Sequence, residues 1–192
     1  MAGRLYARDS FEAAVALVLD DAIALHGAEF GDVQLPIADD LLLVATRNFS
    51  APFIQAFRRV PRSDSCVCGR AFRAGHSLIV SDIDIDPDFL PFREDGRGAG
   101  FRGVQSTPMI AANGTFVGMV STHFAKPHEP TPIEMATLRS YVAIASNHLH
   151  HLLGAVTVDD KAKQMNALLC EQYGLLADPP LPPINAVVPC AR

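Results

Sequence analysis

The hydrophobic pattern is most informative between residues 103 and 124, where two apolar segments flank Asn113-Gly114. An Asn-Gly pair in this setting predicts a β-hairpin with a two-residue type I′ turn, because both central residues of that turn need positive φ. Strands that are apolar on both faces are covered on both sides of their sheet. Polar residues nevertheless interrupt both segments: Gln105, Ser106, Thr107, Ser121, Thr122 and His123. Buried polar groups need hydrogen-bond partners, so the hairpin predicts a polar pocket, a hydrogen-bonded core, or both.

The residues before this hairpin predict an alternation of helices and strands. Ser10 is suited to cap a helix that has apolar residues at helical spacing and ends at Gly27. Strands are predicted at 31–37, 41–46 and 78–83, and short helices at 51–60 and 65–74. Residues 84–99 are rich in Asp, Pro and Gly, which indicates a loop with one helical turn near 90–94.

A long helix is predicted after residue 131, because Thr131, Pro132 and Glu134 form a sequence close to a capping box. Six apolar residues then follow at alternating spacings of four and three: Leu138, Val142, Ala145, Leu149, Leu152 and Val156. Such a heptad pattern fits a helix lying on its own sheet, and it also fits a seam shared with a second chain. Both interpretations stay open at the level of sequence.

The predicted fold class is α/β (α+β), with a central antiparallel sheet of five or six strands. The terminal helices pack on one face, and short helices and the 84–99 loop cover a pocket on the other. The domain is predicted to span residues 1–158, with a core at about 10–153. A further helix is predicted at 159–176, and the Pro-rich residues 177–192 are expected to form a flexible tail.

Composition narrows the classes of function. The net charge of −5 argues against a nucleic-acid-binding or anionic-membrane-binding surface. The chain has no apolar run of membrane-spanning length and no secretory signal, so we expect a cytoplasmic location. In that reducing compartment Cys66, Cys68, Cys170 and Cys190 are thiols by default. No cysteine or histidine has a complete set of ligands around it, so no metal site is predicted.

The predicted hairpin register brings a set of candidate ligand-binding residues together. Side chains alternate between the faces of a strand, so one face should carry Val104, Ser106, Met119, Ser121 and His123. The preceding loop would close the site. It would supply apolar walls and groups for an anionic ligand: Phe89, Phe92, Arg93 and Arg102.

The order of these segments resembles a known family. Residues 100–108, the Asn113-Gly114 turn, residues 117–124 and a Pro-rich linker into a helix resemble a GAF domain of bacterial sensor histidine kinases and signalling proteins. Residues 24–35, 69–83 and 86–89 are also similar to that family, so the resemblance covers about residues 10–153. It implies a regulatory domain without catalytic activity, which senses an unidentified small molecule and signals through a homodimer formed by its terminal helices.

Two branches of the family suggest other functions. Val67-Cys68-Gly69 resembles a segment of the GAF-type free methionine-R-sulfoxide reductases, which carry a resolving cysteine there. Their nucleophilic cysteine belongs to a loop that here has none, so a thiol enzyme is an alternative in which Cys66 replaces it. His123, Ser121 and Ser106 match bilin-contacting positions of phytochromes, but residues 84–105 lack a cysteine, and no covalent bilin is expected. A further alternative is a ligand-free dimerisation scaffold.

Overall fold

The computed structural model describes residues 2–175, which form one sheet with helices on both faces. The helices are α1 (Ala2–Tyr6), α2 (Phe11–His26), α3 (Ala51–Phe57), α4 (Val67–Ala74), α5 (Arg93–Ala99), α6 (Pro132–Leu153) and α7 (Val158–Gln172). The strands are β1 (Phe30–Ile37), β2 (Asp40–Arg47), β3 (Arg59–Pro61), β4 (Leu78–Val80), β5 (Gly103–Ile110) and β6 (Phe116–Phe124). A 3-10 turn at Leu90–Phe92 leads into α5.

The six strands lie in the order β3-β2-β1-β6-β5-β4, and each neighbouring pair is antiparallel. This confirms the predicted central antiparallel sheet. The short strand β3 was not predicted from the sequence, and β4 is shorter than the predicted strand at 78–83. In the loop 84–99 the structure has a 3-10 turn and α5, where the sequence predicted a single helical turn.

The layers are also as predicted. Helices α2 and α6 pack on one face of the sheet, and α3, α4, α5 and the 3-10 turn cover the other. Ser10 caps α2 by accepting a hydrogen bond from the Ala13 N–H, and the helix ends at Gly27 with φ of +62°. The predicted capping box of α6 is present, formed by Thr131 and Glu134.

Four of the six heptad residues belong to the core of their own chain, whereas Leu152 is half-buried beside it and Val156, after the end of α6, is 45% exposed. Leu138, Val142, Ala145 and Leu149 are at most 3% exposed and pack with α2 and the sheet. The apolar stripe of α2 is buried in the same core. The structure therefore decides between the two interpretations of this pattern, and a homodimer must use another surface. Within residues 2–175 none of the helices, the 22-residue α6 included, combines the length and apolarity needed to cross a membrane.

The β5–β6 hairpin keeps the predicted register over its inner part but not at its tip. Val104 pairs with His123 and Ser106 with Ser121, as expected. The pairing shifts between Met109 and Ile110, because β6 has an extra residue there. The tip is a three-residue loop in which only Gly114 has positive φ, +85°. The Gly114 N–H donates to the Ala111 carbonyl oxygen, so a type I turn followed by a glycine bulge replaces the predicted type I′ turn.

Helix α7 is part of the folded domain rather than an addition beyond residue 158. It packs on β1 and β2, where β3 has ended and the edge of β2 would otherwise be open. The Asn166 amide donates to the Leu43 carbonyl oxygen at 2.7 Å, and Leu169 joins the core around α3. The structure has a helix at Val158–Gln172, in the region where the sequence predicts one at 159–176. The predicted tail, residues 177–192, lies outside the described residues.

Candidate functional site

A small buried cavity lies between the sheet and the layer formed by α3, α4 and the 3-10 turn. Its volume is about 20 Å³, counted as space open to the centre of a water molecule. One water needs roughly 10–15 Å³ by this measure, so the cavity has room for about one. Its polar wall comes from β1, β5, β6 and α4: Asp32, Gln34, Ser106, Ser121, His123, Cys66 and Cys68. Its apolar wall comes mainly from four rings: Phe53, Phe57, Phe89 and Phe101.

The central polar feature is a buried Asp32–His123 pair. The His123 Nε2 atom lies 2.8 Å from Asp32 Oδ2, and both residues are at most 5% exposed. Adjacent strands hold them on one face, because Asp32 pairs with Ser121 and the side chains of β6 alternate. The rings of Phe49 and Phe101 meet the His123 ring edge-on, with centroids 4.9 and 4.7 Å away. The imidazole is therefore fixed in position by one hydrogen bond and by aromatic packing.

Two buried polar atoms on these residues have no partner. They are His123 Nδ1 and Gln34 Oε1, each shielded from solvent. A carboxylate only accepts hydrogen bonds, so in the neutral imidazole Nε2 carries the proton shared with Asp32 and Nδ1 keeps a lone pair. Each unsatisfied buried acceptor costs about 1–3 kcal/mol. The cavity wall therefore offers two acceptors that a ligand with N–H or O–H groups would satisfy.

The two serines share one hydrogen bond, which uses only one of their two hydroxyl hydrogens. Ser106 Oγ and Ser121 Oγ are 2.9 Å apart across β5 and β6, and both residues are at most 2% exposed. A hydroxyl can donate one hydrogen bond and accept two, so this pair keeps spare accepting capacity toward the cavity.

Two thiols complete the wall. Cys66 is the N-cap of α4, and its Sγ lies 3.2 Å from Sγ of Cys68 in the first turn. The hydrogen bond with Cys66, together with burial, raises the pKa of the Cys68 thiol. Cys68 therefore keeps its proton at neutral pH. Of the described residues, no group of three or more His, Cys, Asp or Glu side chains is arranged to hold a metal ion.

The segment that covers the cavity is held by arginines. Arg102 makes a bidentate contact with Asp82 at 2.8–2.9 Å, and Arg97 binds Asp84 at 2.9 Å. The Asp84 N–H and the Arg102 guanidinium lower the pKa of Asp82, because both donate to its carboxylate. Arg93 donates to two main-chain carbonyl oxygens of the same segment. We call residues 82–102 the lid.

The structure brings some of the predicted site residues together and separates others. Five line the cavity: Val104, Ser106, Ser121, His123 and Phe89. Met119 shares their face of the sheet and is fully buried, but it does not line the cavity. Phe92 packs against Phe57 and Phe89 behind the wall. Arg93 and Arg102 hold the lid and do not reach the cavity.

Sequence reasoning missed the contribution of β1 and α3. Asp32 and Gln34 alternate with apolar residues along β1, as the polar residues of the hairpin do. That alternation could have been used to predict their role, because polar side chains on one face of a buried strand need hydrogen-bond partners. Phe53 and Phe57, four residues apart on α3, lie in the predicted helix at 51–60, but they were not predicted to form a cavity wall.

These features define a class of protein: a single α/β domain with a six-stranded antiparallel sheet and a covered cavity on one face. The chain belongs to the GAF domain family, whose model matches residues 9–150. This membership supports a regulatory sensing domain. The comparison with curated protein sequences gave no match.

Solved structures share the fold at low sequence identity. A domain of a putative two-component sensor histidine kinase from Sinorhizobium meliloti 1021 has TM-score 0.57 and 15% identity, covering 72% of this chain and 89% of that one. Free methionine-R-sulfoxide reductase from Neisseria meningitidis, in complex with its substrate, has TM-score 0.66 and 17% identity, covering 81% and 87%. A GAF domain/HD domain protein from Geobacter sulfurreducens has TM-score 0.64 and 15% identity, covering 77% and 97%. At these identities the likeness concerns the fold.

Proposed function

We propose that this domain is a non-catalytic regulatory module that binds a small molecule in the cavity beside His123. The observation that carries the proposal is the pair of buried acceptors without partners, His123 Nδ1 and Gln34 Oε1. Both residues line the same cavity. A native core seldom leaves such atoms unpaired, and unpaired atoms of this kind mark places where a ligand or water completes the hydrogen bonding.

The wall indicates the chemistry of the ligand. Its polar side has two acceptors without partners, so the ligand should present N–H or O–H groups to them. Its other side consists of phenylalanine rings, which favour a flat apolar or aromatic body. The arginines of the lid are engaged with carboxylates and carbonyl groups, so the proposed ligand does not depend on an anionic group.

Ligand binding has to move the lid. The cavity holds about one water, whereas ligand pockets usually measure about 300–1,000 Å³. Phe89 is the ring that connects the lid with the cavity, and its N–H is anchored to Asp86 Oδ1 at 2.9 Å. A ligand that displaces this ring would favour a lid arrangement different from the present one. In this way ligand binding would shift a conformational equilibrium.

We also propose that the domain signals in the cytoplasm as a homodimer, without nucleic-acid or membrane partners. The core-facing side of α6 is occupied, so the dimer would use the opposite side of that helix. Ile133 and Ile144 lie there, 78% and 38% exposed, with the small residues Ala136 and Ala143 between them. This side of α6 carries no acidic residue other than the capping Glu134.

The test combines detection of a ligand with a matched pair of variants. Native mass spectrometry of freshly purified protein would report a bound mass, and a thermal-shift screen of small aromatic compounds with N–H or O–H groups would supply probes. Gln34→Met removes one cavity acceptor with little change in shape. Gln105→Met is the control, because Gln105 is equally buried but lies on the opposite face of the sheet.

We expect Gln34→Met and His123→Ala to weaken binding of such a probe about tenfold or more, which corresponds to about 1.4 kcal/mol. Gln105→Met should bind as the unmodified protein does. Equal losses in Gln34→Met and Gln105→Met would place the probe elsewhere and refute the proposed site.

One observation favours an enzymatic alternative of the free methionine-R-sulfoxide reductase type. The two thiols of Cys66 and Cys68 lie in the same cavity as Asp32 and His123. Thiol-recycled reduction of free methionine sulfoxide, lost in Cys68→Ser, would establish that activity.

The small size of the cavity favours a second alternative, a dimerisation scaffold whose own phenylalanine rings fill the space. A dimer that binds none of the probes and carries no co-purified mass would support it.

A further inference from the structure

The two cavity thiols are held close together by local structure. Their sulfur atoms are 3.2 Å apart, whereas a disulfide bond measures about 2.05 Å, so a movement of roughly 1 Å would join them. Asp64 Oδ1 accepts the Cys66 N–H at 3.0 Å and fixes the turn before α4. A Cβ on Gly69 would lie 2.7 Å from the Asp64 carbonyl oxygen, so the glycine after Cys68 permits this tight approach.

Cys68 is the less buried of the two cysteines. Cys66 is 1% exposed, and Cys68 is only partly buried. The other described cysteine, Cys170, is 2% exposed and its sulfur faces Asn166 and Arg58 instead of a thiol. A small oxidant that reaches Cys68 therefore finds a second thiol in contact with it.

We propose that Cys66 and Cys68 form a reversible disulfide, which makes the cavity wall a redox-responsive modification site. This goes beyond the proposed function and does not depend on a ligand being bound. The oxidant is a hydroperoxide, and hydrogen peroxide is the simplest member of that class.

The chemistry balances in two steps. One sulfur attacks a peroxide oxygen, the O–O bond breaks, and water leaves with the thiol proton, giving a sulfenic acid. The second sulfur attacks the sulfenic sulfur, the S–O bond breaks, and another water leaves with the second thiol proton. Two thiols thus lose two electrons and two protons, and the peroxide becomes two waters. A dithiol reductant returns both electrons and both protons.

Two features adapt the pair to reversible use. A disulfide between residues two apart closes a small ring, and strained disulfides are the ones that are easily reduced. The raised pKa of Cys68 keeps that thiol protonated at rest, so it reacts with oxidants slowly instead of being oxidised at once. Joining the sulfurs removes two S–H donors from the cavity wall and pulls the first turn of α4 toward its N-cap residue, Cys66.

A tryptic digest tests the proposal without replacing any residue. Cleavage after Arg62 and Arg70 gives a peptide, residues 63–70, that holds Cys66 and Cys68 and no other cysteine. Residues 164–192 carry Cys170 and Cys190 in a separate peptide, which serves as the internal control. The folded protein is treated with hydrogen peroxide, alkylated and digested. A second sample, oxidised in the same way, is reduced with dithiothreitol before alkylation.

We expect peptide 63–70 to lose two hydrogens, to escape alkylation, and to recover both alkylation sites after dithiothreitol. The melting temperature of the intact protein should shift on oxidation, and that of Cys68→Ser should not. Any of three other outcomes for Cys66 and Cys68 would overturn the proposal. These are oxidation to sulfinic acid, a disulfide between two chains, and two free thiols at a peroxide dose that has already oxidised the control cysteines. Formation of the same disulfide by free methionine sulfoxide would replace it with the enzymatic alternative.

Discussion

Replacing Leu149 with alanine tests whether the inner side of α6 belongs to the core of one chain. Leu149 is fully buried among residues of α2 and the sheet. The change removes three carbon atoms, worth about 2.4 kcal/mol at roughly 0.8 kcal/mol each, and leaves a cavity. With the cavity included we expect a loss of about 3–5 kcal/mol in the free energy of unfolding. Ile144→Ala is the matched control, because it removes three carbons from the exposed side of the same helix.

Urea unfolding followed by far-ultraviolet circular dichroism measures both losses. At an m-value of about 2 kcal/mol/M, a loss of 3 kcal/mol lowers the midpoint by about 1.5 M. At the low protein concentration, where association through the proposed dimer face is weakest, Ile144→Ala should lose less than about 1 kcal/mol, because its side chain is 38% exposed. The Leu149→Ala midpoint should stay low at low and high protein concentration alike. Equal losses in the two variants, or a Leu149→Ala loss that disappears at high concentration, would refute the assignment of this face to the core.

Three further predictions concern stability. Gly69→Ala should lower the free energy of unfolding by about 1–3 kcal/mol, because its Cβ would lie 2.7 Å from the Asp64 carbonyl oxygen. The Cβ of Gly98→Ala in α5 would meet nothing within 4 Å, so this change should raise the free energy of unfolding by up to about 1 kcal/mol in the same urea assay. The opposite order of the two variants would contradict the packing described. Tyr141→Phe should lose about 1.5–3 kcal/mol at neutral pH, because the hydroxyl donates to the buried Asp21 carboxylate at 2.9 Å. Burial and this hydrogen bond raise the pKa of Tyr141, so its contribution to the free energy of unfolding is complete below pH of about 10 and is lost as the pH rises further. Chemical denaturation at a series of pH values above about 10 should show that the free energy of unfolding declines less steeply for Tyr141→Phe than for the unmodified protein. Parallel declines would argue against this role of Tyr141.

The inner hairpin could be predicted because its pattern leaves one register that buries the apolar set. A shift of one residue would have turned Val104 and His123 to the opposite face. The tip escaped prediction because Asn-Gly fits two turn families. In the observed turn Asn113 Oδ1 accepts the Thr115 N–H at 3.0 Å, which holds a loop one residue longer. Local sequence does not distinguish the two-residue type I′ turn from the three-residue turn with a glycine bulge.

The cavity could be predicted only in part, because its wall is assembled from distant segments. The polar residues of β5 and β6 were visible in a single hairpin. Their partner Asp32 lies 91 residues before His123, and only the pairing of β1 with β6 brings the two together. Arg102 was predicted to face a ligand, but two aspartates that precede it in the lid, Asp82 and Asp84, bind its guanidinium. The heptad pattern of α6 likewise predicts an apolar side of the helix, but it does not say whether the sheet of the same chain or a second chain packs against that side.

The position of α7 gives the cavity a direct connection to the C-terminal part of the domain. Helix α3 supplies Phe53 and Phe57 to the cavity wall, and Arg58 follows it immediately. The buried Arg58 guanidinium donates to Cys170 Sγ on α7 at 3.7 Å. Close-packed side chains cannot shift independently, so a displacement of the two rings would be felt at α7. Helix α7 would thus respond to the occupancy of the cavity through its contact with Arg58, without any change at the α6 surface.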